Sequence, residues 1–139
     1  MTTGSHRDPE KLGLGRVPSN FRVAQYVAHS DLMPKTSVLV CLGGAGTIFA
    51  ALRAGVPLVI VPTEWDKPEN AQRVVEAGVG LRLDPRRCTP ERLRAAVEHV
   101  LQEPSFRDNA QRLARTCARY GGAAKAAELL DSFWKTGRV

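Results

Sequence analysis

The stretch SVLVCLGGAGTIFAALRAGVPLVIVP, residues 37–62, fixes most of what this chain can become. Val38 to Leu42 is an uninterrupted apolar run of strand length, the pattern of a strand buried on both faces in a parallel sheet. Gly43-Gly44-Ala45-Gly46-Thr47 breaks that run. Ile48, Phe49, Ala51 and Leu52 then mark a short helix, with Gly55 as its C′ glycine. Leu58 to Val61 reads as a second buried strand. Strand, glycine turn, helix and strand make a βαβ unit, whose crossover is right-handed.

A glycine turn that opens a helix suits anion capture. The first helical turn carries N–H groups without intrahelical acceptors and a partial positive charge. Glycines let phosphate oxygens come close to the backbone, and Thr47 adds a hydroxyl. Two familiar phosphate motifs do not fit. After Gly46 comes Thr47-Ile48 rather than Lys-Ser/Thr, and the third glycine of the dinucleotide fingerprint is replaced by Phe49. Taken alone, the glycines are as consistent with a tight turn that binds nothing.

The elements around this unit follow in order. Phe21 to Val27 alternates in the manner of a strand, and Ala28 to Pro34 reads as a short helix or turn. Thr63 to Asn70 is a polar loop beyond the second buried strand. Asp66 with Glu69 predicts a capping pair for a helix over Asn70–Ala77, ended by Gly78. Val79 to Leu83 predicts an edge strand. Thr89-Pro90 is an N-cap followed by proline at N1. It opens a helix with Leu93, Val97, Val100 and Leu101 on one face. Pro104 opens the next, with Phe106, Ala110, Leu113 and Cys117 aligned, and Gly121-Gly122 stops it. A last helix over Ala123–Lys135 aligns Ala126, Leu130 and Trp134. The order βα-βα-βα-β plus helices is an α/β, Rossmann-like parallel sheet with helices on both faces and a helical C-terminal tail. Ligands of such sheets bind beyond the carboxyl ends of the strands. That edge would carry Tyr26–His29, Leu42–Thr47 and Thr63–Lys67.

Composition narrows the function classes. A chain of 139 residues with 43% apolar and 24% charged residues is one globular domain's worth. No apolar run approaches membrane-span length, and the N-terminus has no hydrophobic signal core, so no membrane partner is expected and the location is read as cytoplasmic. Cys41, Cys88 and Cys117 are far apart and not clustered with His6, His29 or His99; no metal site and no disulfide follow, and each cysteine reads as a small buried apolar residue. The net charge of +6 comes with only 6% aromatic residues. Arginines spread over solvated helix faces account for it better than nucleic acid does. Residues 1–19, including Gly4-Ser5-His6, read as a disordered segment or tag remnant.

At this point FRVAQYVAHSDLMP, VCLGGAGTIFAALRAGVPLVIVP, DKPENAQRV and TPERLRAAVEHVLQEPSFRDNAQRLA together resemble the C-terminal, donor-binding domain of GT-B glycosyltransferases. The likeness is to the UDP-glycosyltransferase-like branch that modifies bacterial natural products such as macrolides. It covers residues 20–133 and would make residues 20–139 a partial GT-B donor domain. The resemblance implies roles residue by residue. Tyr26 stands where an aromatic, usually tryptophan, stacks on the base; packing within a strand is the other reading. His29 stands where a glutamine usually lies near the base. Gly43, Gly44, Ala45, Gly46 and Thr47 would hold the diphosphate. Asp66 and Lys67 stand where an acidic residue and a glutamine bind the donor sugar's hydroxyls. Trp65 reads as a packing residue.

The sequence departs from the family pattern at Leu42, where a histidine contacts the diphosphate, at Ala50, where a glutamate often binds the ribose, and at Lys67. The family's catalytic base lies in a separate acceptor domain, so no catalytic residue is expected here. The implied function is nucleotide-sugar binding for a glycosyltransferase that uses a UDP- or dTDP-sugar as substrate, without metal or other cofactor, and that is inactive as this chain alone. The alternative is a non-catalytic or degenerate domain acting as a partner subunit. The expected partners are a nucleoside diphosphate sugar, an acceptor-binding domain or partner chain, and a second copy joined through an exposed strand edge.

Overall fold

The computed structural model describes residues 1–4, 8–13 and 15–137. Ser5 and His6, part of the segment read as a tag remnant, lie outside the described residues. The chain divides into two compact units, Met1–Lys35 and Thr36–Val139.

In the first unit the expected strand over Phe21–Val27 does not form. Ala24 makes an isolated parallel bridge to Thr2. The Ala24 N–H donates to the Met1 carbonyl at 3.0 Å, and the Thr3 N–H donates to the Ala24 carbonyl at 3.1 Å. The alternation is real, but a strand needs a partner along several residues, and one bridge does not supply it. A 3-10 turn covers Pro9–Leu12. Helix α1, His29–Leu32, is followed by a 3-10 turn at Met33–Lys35, matching the short helical segment expected before Lys35.

The second unit carries the sheet. Strands β1 (Leu39–Cys41), β2 (Leu58–Ile60) and β3 (Gly80–Arg82) lie in the order β1-β2-β3, all parallel. Leu39, Val40 and Cys41 pair with Leu58, Val59 and Ile60, which pair in turn with Gly80, Leu81 and Arg82. Only β2 is fully buried. The expectation that the first anchor strand is buried on both faces fails: β1 is an edge, and Val40 is 42% exposed. The sequence pattern reports how apolar a strand is, not whether a neighbour covers it.

The helices of this unit are α2 (Ala45–Arg53), α3 (Lys67–Glu76), α4 (Pro90–Gln102), α5 (Pro104–Ala118) and α6 (Gly122–Thr136). Alternation along β2 gives the sheet two faces, with α4 on one and α3 on the other. Val59 packs with Ala96 and Val100 of α4, bordered by Val38, Leu81 and Phe106. On the other face lie Leu58 and Ile60, and Val74 of α3 reaches the same side at Gly80. Proline at N1 and a Thr89 hydroxyl accepting the Arg92 N–H at 3.3 Å start α4 as expected. Helix α5 is tied to both neighbours. Asn109 donates to the Gly78 carbonyl at 3.1 Å, and Gly55 admits Gln111 where a Cβ would come within 3.1 Å of it.

Several expected core positions lie in solvent. Phe49 is 62% exposed, at the rim of an apolar cavity of about 150 Å³ shared with Ile48, Leu52, Val74 and Val79. Leu101, Leu130, Trp134 and Cys117 are exposed as well. A 3.6-residue period places residues on one stripe without saying that anything packs on it. Among the described residues no helix is long and apolar enough to cross a membrane.

Candidate functional site

The glycine turn between β1 and α2 separates into two kinds of glycine. Gly43 is demanded by the backbone. Its φ is +96°, and a Cβ there would lie 3.1 Å from Ile60 Cγ2, 3.1 Å from the Lys67 carbonyl oxygen and 3.2 Å from Lys67 Cβ. The turn therefore sits directly against the start of α3. Gly44 and Gly46 are different. Neither has a positive φ, and a Cβ at either position would meet nothing within 4 Å. Folding asks for no glycine at these two places; what they leave is open space at the mouth of a helix.

That helix mouth is polar and accessible. Gly44 is the N-cap of α2, and no side chain caps the helix. The first helical bonds run from the Thr47 and Ile48 N–H groups to the Gly44 carbonyl, both at 3.1 Å. The N–H groups of Ala45 and Gly46 precede them, at the positive end of the helix dipole. Ala45 and Gly46 are exposed and Thr47 is half-buried. This is the arrangement that binds a phosphate or diphosphate oxygen. Leu42, 55% exposed beside the turn, adds no hydrogen-bond donor from its side chain. Cys41 lies just below. Burial pushes its thiol up, partly offset by the Gly43 N–H, so a neutral thiol rather than a repelling thiolate stands under the turn.

Asp66 and Lys67 come to the same edge, in a different way than the capping pattern predicts. Helix α3 begins at Lys67, three residues earlier than the sequence indicates. Asp66 occupies the N-cap position but is itself helical, with φ −73° and ψ −11°, and its carboxylate caps no N–H. It accepts instead from Asn70 Nδ2 at 2.8 Å. Glu69, the expected second half of the capping pair, bonds Arg73 at 2.6 Å across one helical turn. An N-cap needs extended backbone to turn its side chain onto the helix N–H groups, and the loop here has already entered the helix.

Asn70 is the residue that pattern-reading missed. The same amide that holds Asp66 also donates to the Gly43 carbonyl at 3.1 Å, part-buried. One side chain thus locks the candidate sugar-binding aspartate and the candidate phosphate-binding turn into one geometry. The available signal was an asparagine one turn into a helix that begins beside a glycine loop. Replacing it, Asn70→Ala, should lower stability by about 1–3 kcal/mol because a buried carbonyl loses its partner. A urea midpoint unchanged from wild type would show that the bond to Gly43 carries no weight.

Trp65 does not pack. It is 89% exposed with φ +70°. Tyr26, 72% exposed, and His29, exposed at the start of α1, belong to the first unit. Gly43 to Thr47, Asp66 and Lys67 all belong to the second, where the structure brings them together.

Comparison with known proteins bears on the family and the fold. Residues 6–129 match the family described as Erythromycin biosynthesis protein CIII-like, C-terminal domain. The chain is 38% identical over 120 residues to 4'-demethylrebeccamycin synthase of Lentzea aerocolonigenes, covering 86% of this chain and 28% of that protein. It is similar to the crystal structure of CalG4, the calicheamicin glycosyltransferase, with a TM-score of 0.88 and 30% identity over 96% of this chain and 33% of that one. It is also similar to glycosyltransferase VinC, solved in complex with dTDP, with a TM-score of 0.73 and 34% identity over 78% of this chain and 28% of that one. The chain thus spans about a quarter to a third of the length of these relatives. It belongs to the erythromycin biosynthesis protein CIII-like family of GT-B glycosyltransferase C-terminal domains.

Proposed function

We propose that this chain is the nucleotide-sugar-binding part of a bacterial, cytoplasmic glycosyltransferase that moves a sugar from a UDP- or dTDP-sugar to a small hydroxylated acceptor. The observation that carries the reading is the empty space above the uncapped N-terminus of α2, kept open by two glycines that the fold does not require. The diphosphate would lie there on the Ala45 and Gly46 N–H groups, with the Thr47 hydroxyl beside it. Asp66 and Lys67 would take the sugar's hydroxyls. As the glycosidic bond to the donor breaks, charge grows on the leaving diphosphate. The helix N-terminus is aimed at that charge before the reaction starts, which is where preorganised dipoles contribute most. A base and an acceptor site would come from the rest of a longer protein or from a partner chain, and no metal is required by the scheme. The bound dTDP of VinC supports the donor class.

A second reading is favoured by Leu42. Where the family's histidine would donate to the diphosphate, this chain offers an apolar side chain, and a missing charge-assisted bond is worth about 1.5–3 kcal/mol. The chain would then be a weak binder that serves as a partner subunit. The outer edge of β1, unpaired among the described residues, is where a further strand, from a longer protein or a second copy, would add.

Titration of the 15N-labelled chain with UDP and with dTDP decides between the two. Donor binding predicts amide shifts concentrated at Gly43–Ile48 and Thr63–Lys67. A well-dispersed spectrum that stays unchanged at millimolar nucleotide would overturn donor binding and leave the partner-subunit reading.

A further inference from the structure

Trp65 is the only described non-glycine residue with φ in the left-handed region, at +70°, and its side chain is 89% exposed. Both facts work against folding. A bulky side chain at positive φ is strained, and an indole in water forgoes the burial that ordinarily makes tryptophan stabilising. The residue therefore draws nothing from the second unit that contains it.

Its place is well defined. Trp65 stands in the loop from β2 to α3, one residue before Asp66 and two before Lys67. Asp66 holds the Asn70 amide that also binds the Gly43 carbonyl, and the Lys67 backbone lies against Gly43. The loop is thereby fixed to the turn at which a diphosphate would bind. In a nucleoside diphosphate sugar the glycosyl ring hangs directly from the outer phosphate, so it would lie within about one ring's breadth of that turn. One face of a pyranose presents a row of C–H bonds with partial positive charge, and the face of an indole is negative. The two are complementary in shape and in charge.

We propose that Trp65 is a specificity-determining residue whose indole stacks on the C–H face of the donor's glycosyl ring, so that the site distinguishes the loaded nucleotide sugar from the spent nucleoside diphosphate. The inference rests on the donor-binding reading above and adds a residue and a discrimination to it. An aromatic face on the sugar ring would hold the donor for transfer and release its grip once the sugar has left.

Calorimetric titration of the chain with UDP, UDP-glucose, dTDP and dTDP-glucose tests this in wild type, Trp65→Gly and Trp65→Phe. The expected result is that Trp65→Gly weakens the glucose-bearing nucleotides about three- to tenfold, the worth of one aromatic face contact, and leaves UDP and dTDP within about twofold. Trp65→Phe should recover most of the loss. The melting temperature of Trp65→Gly should equal or exceed that of wild type, since glycine accepts φ +70° without strain. Equal loss for sugar-bearing and sugar-free nucleotides would overturn the proposal, as would no loss for either, which would mean that the indole meets an acceptor or another polypeptide. Wild type that binds none of the four would bring down the donor-binding reading itself, and this inference with it.

Discussion

Gly46→Asp is expected to make the protein more stable and at the same time unable to hold a nucleoside diphosphate. Stability should rise a little through propensity, because glycine in a helix costs about 1 kcal/mol relative to alanine and still a few tenths relative to aspartate. A carboxylate in the first turn of a helix adds about 0.3–1 kcal/mol through the dipole. Nothing opposes the new side chain, since a Cβ at Gly46 meets no atom within 4 Å. Binding should fall because the same carboxylate would stand where a diphosphate oxygen is to sit. Two unit charges about 4 Å apart repel by about 1 kcal/mol in water and about 4 kcal/mol at the effective dielectric of a protein surface. A loss on the order of 100-fold at low salt follows, shrinking as ionic strength rises. Gly46→Asn is the control, with similar volume and no charge, and should bind much more nearly like wild type. Urea denaturation and calorimetry on the same samples give both numbers. If the aspartate variant binds UDP and dTDP as well as wild type does, the anion site is not at this helix. If its stability falls, the space above Gly46 is not open.

The βαβ unit was legible in the sequence because its signals are local. Apolar strand runs, a glycine turn and the helix-ending Gly55 and Gly78 are each set by neighbours within a few residues. The third strand and the start of α4 were legible for the same reason. The misses depend on partners the pattern does not name. Val40 is apolar and still half-exposed, because among the described residues no strand lies beyond β1. Phe21 to Val27 alternates and finds a single bridge. Leu130 and Trp134 lie on the expected stripe of α6, and no residue of that helix is buried. At the candidate site the residue types were legible, and the wiring was not. Asp66 looked like a cap because caps are commonly aspartates, yet one helical turn of backbone moved the helix start and gave its carboxylate to Asn70. Of the glycines in the turn, only the structure distinguishes Gly43, which the backbone needs, from Gly44 and Gly46, which it does not.

That distinction has its sharpest counterpart in the sheet. Gly80→Ala, the addition of one methyl group, should be the most damaging small substitution in the second unit. Gly80 pairs with Leu58 in the β2–β3 ladder, and a Cβ on it would lie 2.2 Å from the Leu58 carbonyl oxygen and 2.9 Å from its carbonyl carbon. On the way it would also meet Val74 Cγ1 at 3.0 Å. A long side chain could swing aside, but the obstacle here is the backbone of the fully buried β2. Relief requires β3 to part from β2, which would pull Leu81 from the cluster around Val59 on one face and disturb the seat of α3 on the other. Interior overpacking commonly costs about 1–3 kcal/mol when side chains can yield; with backbone as the obstacle the cost should be about 3 kcal/mol or more, out of the 5–15 kcal/mol typical of a whole domain. Chemical denaturation compares it directly with Gly46→Ala, the same methyl group placed in open space, which should be neutral or slightly stabilising. A midpoint for Gly80→Ala within about 0.5 kcal/mol of wild type, the range of an ordinary surface change, would mean that the strands are not in contact at this register. A loss confined to Gly80→Ala would show that one chemical change is refused where the sheet needs the space and accepted where a ligand does.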